Sequence, residues 1–242
     1  MTYNVTMATQ TQYLFILSPP YSGSTVLWRL LQTSSQVSAL PDEGQKLPEL
    51  REMMRTRPWD SDTEFDWNLI SNTWHRYWDL SKPILLEKSP PHLCRVETIE
   101  QHFKPAKFIL LMRDPLAICE ALHRRNGMDW DDAAQRWIFW LELHLQTLES
   151  WPDSHLLYYE DQVSEPESAF SAMAHWLPEL RDVDIHQPVK AHAIDGVRRR
   201  ALSDMNPQKL QAISPADKTR VLARLETALP LLSRTPYGKR YF

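Results

Sequence analysis

Glycine is scarce in this chain, five in 242 residues against eighteen prolines, which implies stiff loops. Cysteine is scarcer still. Cys94 and Cys119 are the whole complement. Two thiols cannot build a metal site alone, and with no signal-like start they are expected to stay reduced in a cytoplasmic setting. No apolar run approaches about 18 residues, which excludes a membrane-spanning helix. Positive charge is not in excess. The formal net charge of -4 argues against a general nucleic-acid binder, although the Arg198-Arg199-Arg200 run could hold a phosphate locally. Lysine is absent before Lys46, so the Gly-Lys-Ser/Thr pattern of a Walker A loop is excluded from the first strand–helix junction.

What is present at that junction is the most informative feature of the chain. Tyr13 to Ser18 reads as an apolar strand, and Pro19-Pro20-Tyr21-Ser22-Gly23-Ser24-Thr25 follows as a small, hydroxyl-rich turn that opens a helix. A helix N-terminus offers unpaired N–H groups and partial positive charge, Gly23 permits close backbone approach, and Ser22, Ser24 and Thr25 add hydroxyl donors. Such a loop suits a phosphate or sulfate. The plain alternative is an ordinary strand–turn–helix junction with a serine cap.

Hydrophobic residues make up 43% of the chain, ample for one sizeable core, and residues 1–242 are read as a single domain. Residues 1–11 are polar and expected to fray. Further strands are expected at 84–87, 107–112 and 155–159, and helices at 24–33, 93–102, 115–125, 130–150, 166–176 and 214–229. Residues 47–79 should be helical in pieces. Strands alternating with helices imply an α/β fold, a central parallel sheet flanked by helices on both faces, with every strand's C-terminal end along one edge. Ligands bind along that edge. Three strand ends there carry groups suited to an anion: the 18–25 loop, Lys88-Ser89 and Arg113. Each has a structural alternative. Lys88 could form a surface ion pair with Glu87 or a neighbouring acid, and Arg113 could pair with Asp114 or a helix terminus.

These residues also carry a resemblance. Pro20 to Leu27 is similar to the phosphosulfate loop of sulfotransferases, and Phe108 to Pro115 to that family's second signature, whose arginine grips the donor's 3′-phosphate. Leu86-Glu87-Lys88-Ser89-Pro90-Pro91 and Leu157-Tyr158-Tyr159-Glu160-Asp161 resemble elements of the bacterial and tyrosylprotein-type branches. The resemblance runs from about residue 13 to 176 and implies a P-loop-like sulfotransferase fold. Its implied co-substrate is 3′-phosphoadenosine-5′-phosphosulfate (PAPS), leaving 3′-phosphoadenosine-5′-phosphate (PAP). The implied donor-binding residues are Tyr21, Ser22, Gly23, Ser24, Thr25, Arg113 and Tyr159, and Arg200 is added to them as a helper that no motif places. Two positions depart from the family. Tyr21 stands where a basic residue is expected, which makes Lys88 the natural substitute, and Ala121 stands where a serine should help hold the 3′-phosphate. Arg124, Arg125 or the Arg198–Arg200 run are then the available helpers.

Sulfuryl transfer through an in-line, charge-dispersed transition state calls for positioned donors and a base, and requires no metal. The Asp42-Glu43-Gly44-Gln45 turn lies where related branches carry a catalytic glutamate. Glu43 is preferred over Asp42, and a solvated turn is the alternative. His75, His92 and His123 are weaker candidates for the base. Residues 59–79 interleave Trp59, Trp67, Trp74 and Trp78 with Asp60, Asp62, Glu64, Asp66 and Asp79. That pattern suits a small cationic acceptor such as an alkaloid-like amine, sulfated on a hydroxyl or amine. It equally fits an amphipathic cap with core tryptophans and solvated acids. Two other functions compete: a divergent P-loop kinase, and a non-catalytic nucleotide-binding protein with the same fold.

Overall fold

The computed structural model describes residues 11–193 and 196–242. The expected fraying of 1–11 thus lies almost wholly outside the described residues. The chain opens as β1 (Gln12–Leu17), α1 (Ser24–Leu31), β2 (Val37–Ala39), α2 (Arg51–Met54) and α3 (Trp67–Tyr77). It continues as β3 (Ile84–Glu87), α4 (Val96–His102), β4 (Ala106–Met112), α5 (Pro115–Asn126) and α6 (Trp130–Ser150). Then come β5 (His155–Tyr158), α7 (Tyr159–Ser164), α8 (Pro166–Trp176) and the hairpin β6 (Val189–Ala193) and β7 (Gly196–Arg200). Four short helices close the chain: α9 (Asn206–Gln211), α10 (Pro215–Glu226), α11 (Leu229–Leu232) and α12 (Pro236–Tyr241).

Five parallel strands form one sheet in the order β2-β3-β1-β4-β5. Strand side chains alternate between its two faces. Phe15, Leu17, Phe108, Leu110 and Met112 join the core beneath α3 to α6 and the C-terminal helices. Leu14, Ile16, Ile109 and Leu111 join the other core, against α1 and α8. Both faces are therefore dry, which is why the strands read as continuous apolar runs. The chain is a single α/β domain of the expected class.

Connections reverse direction at β1, whose neighbours are β3 and β4. A crevice opens at such a switch point, at the carboxyl ends of the strands. β1 delivers the 18–25 loop there, β3 delivers Lys88, β4 delivers Arg113, β5 delivers Tyr159, and β2 leads into the turn bearing Glu43.

The expected strands hold to within a residue. β2 was not foreseen, because Val-Ser-Ala is three residues long with no hydrophobic run. The expected 93–102 helix is divided: a tight 3-10 turn covers Pro90–Cys94 and α4 starts at Val96. The expected 214–229 helix stops at Glu226.

Candidate functional site

The 18–25 loop turns sharply at two left-handed residues, Tyr21 (φ 67°) and Gly23 (φ 91°). For Tyr21 this conformation costs about 1–2 kcal/mol, held by its surroundings. Its carbonyl accepts from Arg113 Nη1 at 2.9 Å, and its hydroxyl donates to Asn126 Oδ1 at 2.7 Å. Gly23 caps α1 and lies under the Tyr159 ring, so close that a Cβ would sit 2.7 Å from it. Ser22 is fully buried and its hydroxyl donates to Pro19 O at 2.8 Å, so its side chain does not offer the loop donor expected from sequence. Ser24 and Thr25 start α1, and their backbone N–H groups meet no acceptor among the described residues. Residues 23–26 line a cavity of about 550 Å³ at this edge of the sheet.

Lys88 leaves β3 with its side chain 2% exposed. Its ammonium donates to Glu43 Oε1 at 2.5 Å and to Thr25 Oγ1 at 3.3 Å. The Lys88 pairing with Glu87 does not occur. Glu87 is turned away into the core, where its Oε1 accepts from Gly44 N and Ser89 Oγ, each at 2.7 Å, and its Oε2 lies 2.7 Å from His92 Nε2. This buried carboxylate ties the turn after β2 to the end of β3, and so sets Glu43 opposite Lys88.

Burial alone would raise the Glu43 pKa. The Lys88 ammonium, the Lys46 ammonium 3.2 Å away and the Gln45 amide at 2.8 Å outweigh it and hold the carboxyl below the usual range. Asp42 points outward, caps Glu43 N at 2.7 Å and does not line the cavity. Neither do His75, His92 and His123. His75 bonds Tyr13 and Ser71 at 2.8 and 2.7 Å, and His123 stacks on Trp130 at 4.2 Å.

Arg113 also lines the cavity, 5% exposed. Its guanidinium stacks over Tyr159 at 3.8 Å and its Nε donates to Asn206 Oδ1 at 2.8 Å, but its buried Nη2 meets no acceptor among the described residues. Asp114 does not pair with it. That carboxylate caps α5 through Leu116 N and Ala117 N and receives Tyr241 OH at 2.5 Å. Ala121, Arg124, Arg125, Arg200 and Lys209 line the same cavity. The Arg125 guanidinium lies 5.7 Å above the Tyr21 ring, which returns a cation to the neighbourhood of that residue.

Eight Lys or Arg side chains line the cavity and one carboxylate, Glu43, does. In a chain of net charge -4 that concentration marks an anion site. Its lining suits a multiply charged anion and includes the Lys88–Glu43 acid–base pair.

The cationic-acceptor expectation meets a different wall. Trp67, Trp74 and Trp78 are core residues, and none of Asp60, Asp62, Glu64, Asp66 and Asp79 lines the cavity. Beyond Glu43 the lining is Gln45, Lys46, Arg55, Pro58, Trp59 and Pro90. The sequence pattern here was that of the amphipathic cap.

Asn206, Lys209, Gln45 and Arg55 were missed. Asn206 and Arg113 are 93 residues apart, and no local pattern announces such a pairing. The only sequence cue is the Asn-Pro pair that starts α9.

A profile described as the sulfotransferase family matches residues 13–182. Solved structures share the fold at low identity. A sulfotransferase domain from the curacin biosynthetic pathway is 21% identical, with TM-score 0.55 over 89% of this chain and 98% of its own. A sulfotransferase from Alicyclobacillus acidocaldarius is 11% identical, with TM-score 0.57 over 91% and 94%. A mouse sulfotransferase complexed with PAP is 13% identical, with TM-score 0.52 over 97% and 90%. A comparison with curated proteins finds no significant match. With the profile spanning most of its length, the chain belongs to the sulfotransferase family.

Proposed function

We propose that this protein transfers a sulfuryl group from PAPS to a hydroxyl or amine of a small molecule. One observation carries the reading: the Lys88–Glu43 ion pair lines the same cavity as a buried arginine whose Nη2 meets no acceptor among the described residues. A donor with phosphate at one end and phosphosulfate at the other matches that spread of charge.

In this reading the free N–H groups of Ser24 and Thr25, with the Thr25 hydroxyl, take the 5′-phosphosulfate, and the close approach at Gly23 lets them do so. Arg113 takes the 3′-phosphate, Tyr159 keeps the guanidinium in place by stacking, and Arg200 adds charge at the rim. Tyr21 and Ser22 contribute backbone rather than side chain. The acceptor oxygen or nitrogen attacks sulfur, the bond from sulfur to the bridging oxygen breaks, and PAP leaves. Glu43 receives the acceptor's proton. Lys88 sits where charge develops on the sulfuryl and bridging oxygens, and its low exposure strengthens that interaction. Glu43 is the base of this scheme and Asp42 its outer neighbour, since only Glu43 reaches Lys88.

The wall beyond Glu43 is basic and aromatic, which supports a neutral or anionic acceptor over a cationic one. Calorimetric titration tests the donor assignment. PAP should bind in EDTA and ATP with Mg²⁺ should not displace it. Mg²⁺-dependent ATP turnover without PAP binding would replace this reading with a kinase.

A further inference from the structure

Ala121 removes a hydroxyl from the cavity lining, yet the space is not left apolar. Helix α9 lies against α5 and presents Asn206 and Lys209, three residues apart, on the face that meets it. Asn206 holds Arg113 through its Nε. Lys209 Nζ donates to Ala117 O at 2.9 Å, one turn before Ala121, and the residue is 7% exposed. Both Lys209 and Ala121 line the cavity.

The charges facing Lys209 do not balance. From α5, Glu120 Oε2 lies 3.5 Å from its ammonium, but Arg124 on the same helix grips that carboxylate through Nε and Nη2. From the end of β4 comes Arg113, whose Nη2 meets no acceptor among the described residues. Beside Lys209 one carboxylate thus serves two cations, while Glu160 and Asp204 lie on the Asn206 side of α9, where they accept from Asn206 Nδ2 at 2.6 Å and Asn206 N at 2.8 Å. Burial, then Arg113 and Arg124 against Glu120, push the Lys209 pKa down to about 7. A buried excess of positive charge is costly without an anion to meet it.

We propose that Lys209 and Arg113 jointly bind the 3′-phosphate of the donor nucleotide, with Lys209 in the role that Ala121 cannot fill. The inference rests on the sulfotransferase reading of the site and deepens it. Because the phosphate draws the proton onto Lys209, binding is coupled to proton uptake above neutral pH. Affinity for a 3′-phosphorylated nucleotide then falls as pH rises above 7, and affinity for its counterpart without that phosphate does not.

The experiment titrates PAP and AMP, which differ by the 3′-phosphate, into the wild-type protein and into Lys209→Met and Lys209→Arg at pH 7, and into the wild type again at pH 9. The wild type should prefer PAP. Lys209→Met should lose about 10- to 100-fold in PAP affinity with AMP binding unchanged, and Lys209→Arg should recover part of it. If Lys209→Met does not fold, the wild-type pH dependence decides alone, the PAP preference shrinking toward pH 9. A preference for PAP that survives Lys209→Met, or that is level across pH where that variant does not fold, overturns the role of Lys209 and leaves the donor assignment standing. Failure of the wild type to bind PAP at all overturns both.

Discussion

Lys88 Nζ and Glu43 Oε1 meet at 2.5 Å although the residues are 45 apart in sequence, the first on the end of β3 and the second on the turn after β2. Neither side chain can be moved without exposing the other's charge to a nearly dry surrounding. Lys88→Met should lower sulfuryl transfer about 100- to 1,000-fold, and Glu43→Gln about 100- to 10,000-fold, each with PAP binding little changed. Steady-state rates set beside calorimetric affinities separate the two effects. Loss of PAP binding in step with rate would move both residues out of the chemistry.

The pH profile follows from the same pair. The Glu43 carboxyl is held below the usual carboxylate range, so its basic form persists as pH falls through that range, and transfer declines only below it. In Lys88→Met the burial that raises the Glu43 pKa remains while its largest counterweight is gone. The acid limb of the residual rate should therefore move to higher pH. An unmoved limb would assign it to another group.

Glu87 should prove structural and unforgiving. Its carboxylate accepts from Gly44 N and Ser89 Oγ and is fully buried. Glu87→Ala orphans both donors and leaves a void beside His92, and should cost about 3–5 kcal/mol in denaturant unfolding. Glu87→Gln keeps an acceptor for Gly44 and should cost less. Equal stability of the two variants would contradict the bridging role.

Gly23 is fixed twice over, by a left-handed backbone and by the Tyr159 ring. Gly23→Ala should destabilise by about 1–3 kcal/mol and weaken PAP binding, because the loop or the ring must shift. Thermal unfolding and titration check it. Unaltered PAP affinity would show that the loop does not need its close packing.

Segment 59–79 separates two readings of its tryptophans. Trp74 is wholly buried beside Phe15 and Phe103, and Trp74→Ala should cost about 3–5 kcal/mol. Asp62 is exposed, and Asp62→Asn should change stability by no more than about 0.5 kcal/mol and leave acceptor choice untouched. A shift in acceptor choice on Asp62→Asn would restore the carboxylate-lined wall.

Four of the five sheet strands were legible because both sheet faces are buried and each strand is an apolar run closed by a polar residue. β2 lacked that signal, and the β6–β7 hairpin carries exposed arginines rather than a core pattern. The strand-end residues Lys88 and Arg113 were legible for the same reason: a cation directly after an apolar strand has one place to go in a parallel sheet. Ser22 misled because hydroxyl content does not say which way a side chain turns. Asn206 and Lys209 were hidden by distance, since their meaning comes from α5 and β4 rather than from neighbours in sequence. The acid-rich stretch misled in the opposite sense, for helical periodicity alone could not tell which tryptophan faces pointed inward.

Incubation of the wild-type protein with sulfur-labelled PAPS and a fractionated pool of neutral and anionic hydroxyl compounds, in EDTA, tests the central claim most directly. A labelled product should form without metal, and its rate should fall about 100- to 1,000-fold in Lys88→Met. Tight PAP binding with no labelled product from any fraction would contradict it, and would make the protein a nucleotide binder that keeps the fold without the transfer.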